Sequence, residues 1–210
     1  MNYLVGVDFD NTLVSYDEAL FDEAMQRGLI RPDSRKGKKS IRDSIRQLPN
    51  GEIEWQKLQA VIYGSRMMEA KQIAGVQTFL DCCKHSNTRV FIISHKTTYA
   101  TQDETGTDLR ASSLSWMKTR GFFEPDGLGL SLDDVYFEST RSHKIERIRT
   151  LKCTHFIDDL EETFLEECFP AHVKKILYTP HMCHSSLPED IRVATSWAEV
   201  RDLVFGSSFS

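Results

Sequence analysis

The 210-residue chain has no long apolar run. Its most strongly apolar stretch is the few residues around Val90 to Ile93, well short of the roughly 18 to 20 that cross a bilayer, so a membrane-spanning helix is excluded. It also lacks an excess of basic charge. The 26 Lys and Arg against 31 Asp and Glu leave a formal charge of -5, so no global attraction draws it to nucleic acid or to an anionic membrane surface. An anionic ligand must therefore be met by a local site. The opening MNYLVGVDFD lacks the basic stretch, long apolar core and small-residue cleavage site of a secretory signal, and a cytoplasmic protein is expected. Cysteine is too scarce for a disulfide framework: there are five, an odd number, with Cys82 and Cys83 adjacent, so reduced thiols are expected. No internal repeat or low-complexity segment stands out.

What is present is an alternation of short apolar runs with helical patterns. Residues 3–9 (YLVGVDF) read as a strand buried on both faces that stops at the polar cluster Asp10-Asn11-Thr12. Similar runs occur at 89–94, 134–137, 154–157 and 175–178, each preceded by a helical pattern, and a final helix fits 197–205. Strands alternating with helices predict an α/β fold, a doubly wound, Rossmann-like parallel sheet whose ligands sit at the carboxyl ends of the strands. Residues 16–72 break the rhythm. They carry three helical faces, the first closed by Gly28, the second (Ile41, Ile45, Leu48) by Pro49-Asn50-Gly51, and the third (Trp55, Leu58, Ile62) near Gly64. The expected organisation is a catalytic core of 1–15 and 73–210 with an inserted small helical cap of 16–72.

Chemistry concentrates at the strand ends. Alternation along a strand aims Asp8 and Asp10 to the same side, and two such carboxylates repel each other unless a cation or a shared proton compensates. Alone, this pair is equally a turn of the Asx type. Ser94 ends the second run, Lys144 precedes the fourth, and the fourth runs into Asp158-Asp159 with Glu162 just beyond. Singly, these are a strand terminator, a solvated helix residue and a helix cap. In chain order, DFDNTL, FIIS, Lys144 within SHKIERI, and FIDDLEET resemble the four motifs of the haloacid dehalogenase superfamily, over nearly the whole chain.

The resemblance implies a phosphohydrolase of a phosphatase-like branch. Asp8 would be the nucleophile that forms an aspartyl-phosphate, and Asp10 the acid that protonates the leaving oxygen and then activates water. Ser94 would hydrogen-bond a phosphoryl oxygen, and Lys144 would balance charge. Mg2+ is the implied cofactor. Its hard oxygen donors would be Asp8, the main-chain carbonyl of Asp10, and the acidic pair, with Asp159 preferred to Asp158. Glu162 would stand behind these ligands, and Thr12 would support the loop. Dehalogenases expel halide without a proton, and that branch usually lacks an acid two residues after the nucleophile, so Asp10 favours phosphoryl transfer.

The expected partner is a small phosphorylated substrate. A phosphomutase, a nucleic-acid end phosphatase and a non-catalytic binding protein on the same fold are the alternatives. His95 and Lys96, directly after Ser94, are candidate specificity residues at the pocket mouth. Arg42 and Arg46 fall with Lys39 on one helical stripe, which is either a solvated basic face or a contact for a second anionic group. The RKGKKS stretch is no phosphate-binding loop, because Pro32 and Lys39 occupy its required Gly and Ser/Thr positions. His181, Cys183 and His184 match no common zinc spacing.

Overall fold

A computed structural model describes residues 3–103, 105–180 and 187–206. His181, Cys183 and His184 lie outside the described residues. The chain divides into two compact units. Unit 1 comprises Met1–Leu13, Gln72–Lys96 and Gly121–Ser210, and unit 2 comprises Val14–Lys71 and Thr97–Arg120.

Unit 1 is built on a six-stranded parallel sheet. Its strands are β1 (Leu4–Val7), β4 (Arg89–His95), β5 (Val135–Glu138), β6 (His155–Asp158), β7 (Lys174–Tyr178) and β8 (Ile191–Ala194), in the order β5-β4-β1-β6-β7-β8. The order reverses at β1, so the ends of β1, β4 and β6 meet where a doubly wound sheet opens its ligand crevice. The expected fold class is therefore the observed one. One strand was not anticipated. The run Ile191-Arg192-Val193-Ala194 is too short and too polar to stand out as an apolar run, yet it pairs in parallel with β7 at the sheet edge.

Strand alternation sorts the core. Phe91 and Ile93 of β4, Phe156 of β6, Leu177 of β7 and Ile191 of β8 form one buried cluster with Ile145 and Ile148 of α6 (Arg141–Thr150). Phe164 of the short α7 (Glu161–Phe164) and Phe169 close the same cluster. On the opposite face, Phe79 of α4 (Val76–His85) lies 5.0 Å from the Trp197 ring of α8 (Trp197–Phe205), and Tyr178 lies 5.7 Å from it. Trp197 Nε1 donates to Thr12 O at 3.1 Å, tying α8 to the turn after β1. Gly6 has no room for a side chain: a Cβ there would lie 2.6 Å from Phe156 Cδ2, so glycine lets the Phe156 ring lean on β1. The described cysteines, Cys82, Cys83, Cys153 and Cys168, are free thiols.

Unit 2 is mostly helical. It holds α1 (Asp17–Gln26), α2 (Lys38–Ile45), α3 (Gly51–Tyr63) and α5 (Leu109–Thr119), and the short strands β2 (Val14–Ser15) and β3 (Lys71–Gln72) pair beside its first segment. The three helical faces seen in the sequence lie within α1 to α3, and Gly28 adopts a left-handed φ of 68° after α1. Leu48, expected on the α2 face, is exposed beyond the helix end. The second segment differs from the sequence expectation, which placed 97–120 with the core. Trp116 Nε1 of α5 donates to Ala70 O at 2.9 Å, which seats α5 on the end of unit 2's first segment. Arg66 adds a charged clasp to Glu23 and Glu69. Among the described residues no helix is long and apolar enough to cross a membrane.

The buried titratable groups of unit 1 include a histidine at the start of β6. His155 is buried beneath Tyr3, with Nδ1 2.9 Å from Thr154 Oγ1 and Nε2 without a hydrogen-bond partner. Burial, aided by Lys174, holds its imidazole down at about 4. The unfolded chain binds this proton near the ordinary value of 6.5 and the folded chain does not, so folding stability falls as pH drops from 6.5 towards 4. Relative to His155→Phe, the wild type is expected to lose about 2 kcal/mol between pH 7.5 and pH 5 in urea titrations. Parallel pH curves for the two proteins would refute this.

Candidate active site

The site is assembled at the carboxyl ends of β1, β4 and β6. Ladder pairing of β1 ends at Val7, although Asp8 N still donates to Ile157 O at 2.9 Å and so keeps Asp8 against β6. The chain then turns through Asn11, whose φ of 58° is left-handed, and Leu13 N closes the turn on Phe9 O at 3.0 Å. Asparagine tolerates that region better than most residues. Asp158 is the last residue of β6, and its Oδ1 accepts from Leu160 N at 3.0 Å. Thr140 caps α6 by accepting from His143 N, which starts the helix so that Lys144 falls in its first turns.

Lys144 is the centre of the arrangement. Its ammonium donates to Asp8 Oδ1 at 2.6 Å and to Asp158 Oδ2 at 2.7 Å, and its side chain is 2% exposed. It lies 5.3 Å from the centre of the Phe156 ring, the same ring that Gly6 admits. Burial works against its charge, but Asp158 and Asp8 outweigh that and hold the ammonium above its ordinary range. Burial pushes the Asp8 carboxyl up to about 6, against the pull of Lys144, with Asp158 and Asp10 adding to the rise.

Asp10 has a different counterion. Lys96 Nζ lies 3.0 Å from Asp10 Oδ1 and 2.9 Å from Oδ2, and the lysine is 4% exposed. The sequence reading set Lys96 at a pocket mouth; the structure buries it against the carboxylate instead. His95, its neighbour, is exposed and places Nε2 3.2 Å from Ser139 O. Ser94 is buried at the end of β4, opposite Phe137 in register.

Asp8, Asp158 and Asp159 each offer a carboxylate oxygen within 4.8 Å of one another. This is a hard, all-oxygen donor set of the kind that suits Mg2+. The three converging carboxylates share the single Lys144 ammonium that bridges Asp8 and Asp158, and a divalent cation would neutralise such a cluster further. Both Asp158 oxygens already accept hydrogen bonds, so an ion there competes with Lys144 or Leu160 N. Glu162 is exposed on α7 and is not part of this cluster. Thr12 is fully buried in the turn, its Oγ1 without a hydrogen-bond partner. Arg42 and Arg46 belong to unit 2, where they pair with Asp43 and Glu52.

No family model matches the chain, and no curated protein matches it. Solved structures do. A haloacid dehalogenase-like family hydrolase from Streptococcus pneumoniae superposes with a TM-score of 0.63 at 16% identity, covering 97% of this chain and 98% of its own. A haloacid dehalogenase family hydrolase from Deinococcus radiodurans, with bound phosphate and sodium, gives 0.61 at 14% identity over 99% and 97%. An L-2-haloacid dehalogenase gives 0.52 at 14% identity over 97% and 98%. The chain therefore has the fold of the haloacid dehalogenase-like hydrolases.

Removing the ammonium of Lys144 leaves two buried carboxylates uncompensated. Lys144→Met is expected to lose about 3 to 5 kcal/mol in urea denaturation, and Lys144→Met/Asp158→Asn to regain part of that loss. An unchanged midpoint for the single variant would show that the bridge carries no net stability.

Proposed function

We propose that the protein is a Mg2+-dependent phosphohydrolase that acts on a small phosphorylated metabolite through an aspartyl-phosphate. The observation that carries this reading is the pair of separately held carboxylates: Asp8, held by Lys144, and Asp10 two residues on, held by Lys96. A nucleophile and a proton carrier at one strand end are what ester cleavage requires, and halide expulsion needs only the first. The phosphate and sodium bound in the Deinococcus protein support the same reading.

In the first half-reaction an Asp8 carboxylate oxygen attacks phosphorus, the bond from phosphorus to the ester oxygen breaks, and Asp10 delivers a proton to that oxygen, releasing the alcohol. In the second, water attacks phosphorus, gives a proton to Asp10, and the bond to Asp8 breaks, releasing inorganic phosphate. Lys144 keeps Asp8 in place and opposes the negative charge brought by the phosphoryl group. Ser94, buried at the end of β4, is assigned as a donor to a phosphoryl oxygen. Asp8, Asp159, Asp158 and the Asp10 carbonyl would hold the Mg2+, with the second acid of the pair preferred because Asp158 is engaged by Lys144 and Leu160 N. When bound, the cation supplies charge neutralisation for the incoming phosphoryl oxygens.

A screen of nucleotides, sugar phosphates, phosphoglycolate and aryl phosphates, with Mg2+ and with chelator, tests the proposal. Phosphate release is expected only with the metal, and Asp8→Asn is expected to lower turnover by more than about a thousandfold while the protein stays folded by circular dichroism. Near wild-type activity in Asp8→Asn would overturn it.

A further inference from the structure

Lys96 is a buried cation that the motif reading does not account for. It sits two residues after Ser94, and Lys96 N donates to Glu138 O at 2.9 Å, so the sheet pairing with β5 continues past the end of β4 and fixes its backbone. Phe91 and Ile93 lie on the α6 face of the sheet, so alternation puts His95 on that face and Ser94 and Lys96 on the other. The Lys96 side chain passes the Phe9 ring, with Nζ 5.7 Å from its centre, and ends on both oxygens of Asp10. Lys144 therefore comes to Asp8 from α6, and Lys96 comes to Asp10 from the opposite face.

A carboxylate just beyond a strand end, on a turn and partly open to solvent, has several rotamers available to it. Contact of one ammonium with both oxygens selects one of them. We propose that Lys96 is the positioning residue for Asp10, holding its carboxylate at the orientation from which it hands a proton to the leaving ester oxygen and takes one from water. The inference rests on the phosphohydrolase reading above. Lys96 itself exchanges no proton in it: Asp10 remains the carrier in both half-reactions, and the ammonium shifts from one carboxylate oxygen as the other receives or gives the proton.

Leaving groups separate positioning from general structural support. Nitrophenolate departs without a proton, whereas phenolate needs one more, and the two esters have nearly the same shape. With Mg2+, Lys96→Met is expected to lower kcat/KM about a hundredfold on phenyl phosphate and less than about tenfold on p-nitrophenyl phosphate. Lys96→Arg should regain most of the loss on phenyl phosphate. Asp10→Asn should show the same leaving-group dependence, and Lys96→Met/Asp10→Asn, which leaves no unpaired carboxylate, should fall no further than Asp10→Asn alone. Equal losses on both esters, or a double variant that falls by the product of the single effects, would overturn the role of Lys96. A wild type that turns over neither ester and no member of the wider screen would instead overturn the phosphohydrolase reading.

Discussion

The ammonium of Lys144 between Asp8 and Asp158 is the contact on which the site depends. Two buried carboxylates on adjacent strands repel each other, and neither has water to screen it. The strand order makes β1 and β6 neighbours, so their terminal acids converge whether or not a cation is there to meet them. Delivering that cation needs a helix that begins at one place, and the Thr140 cap supplies it. It also needs a path for the side chain. Gly6 lets Phe156 lie against β1, and Lys144 approaches beside that ring. Glycine in a central strand, normally a weakness, is here part of how a charge reaches the centre of a protein.

The fold does not by itself name the reaction. A protein described as a dehalogenase and a hydrolase with bound phosphate both superpose on this chain, so the likeness in fold does not choose between reactions. The proposed reading rests the discrimination on the second carboxylate and its counterion: Asp10, held by Lys96, would carry the proton that ester cleavage needs and halide expulsion does not.

Much of this was legible in the sequence because parallel strands buried on both faces leave apolar runs, and three of the runs lead into residues able to do chemistry. Asp8, Ser94 and Asp158 were singled out that way, whereas Lys144, ahead of the fourth run, entered through the motif resemblance. β8 escaped because an edge strand of four residues with Arg192 exposed has no continuous apolar run. The segment 97–120 was placed with the core because its helix spacing matches any crossover helix; the bonds from Trp116 and Arg120 to Ala70 O attach it to unit 2, and such contacts have no sequence signature. Lys96 was in reach. The alternation that aligned Asp8 with Asp10 also aligns Ser94 with Lys96, but a lysine at a strand end suggests solvent, and burial against a carboxylate 86 residues away is a tertiary fact.

The connectivity separates two tasks. The chain leaves unit 1 twice, after Leu13 and after Lys96, each time just beyond a strand end that carries catalytic candidates. Asp8 and Ser94 are reached before these departures, whereas Lys144 and Asp158 come after the chain has returned at Gly121. The basic residues of unit 2 are largely committed within the unit. Arg42 pairs with Asp43 and Arg46 with Glu52, while Lys36 and Lys38 lie over the rings of Phe21 and Tyr63. A stripe whose charges already have partners attracts a second anionic group only by giving those partners up, which favours a solvated face over a substrate contact. On the proposed reading, the charge that an anionic substrate would meet is then the buried set in unit 1. There, Lys144 joins Asp8 to Asp158, Lys96 holds Asp10, and Asp8, Asp158 and Asp159 converge within 4.8 Å, the arrangement that the proposed metal-assisted reaction would draw on.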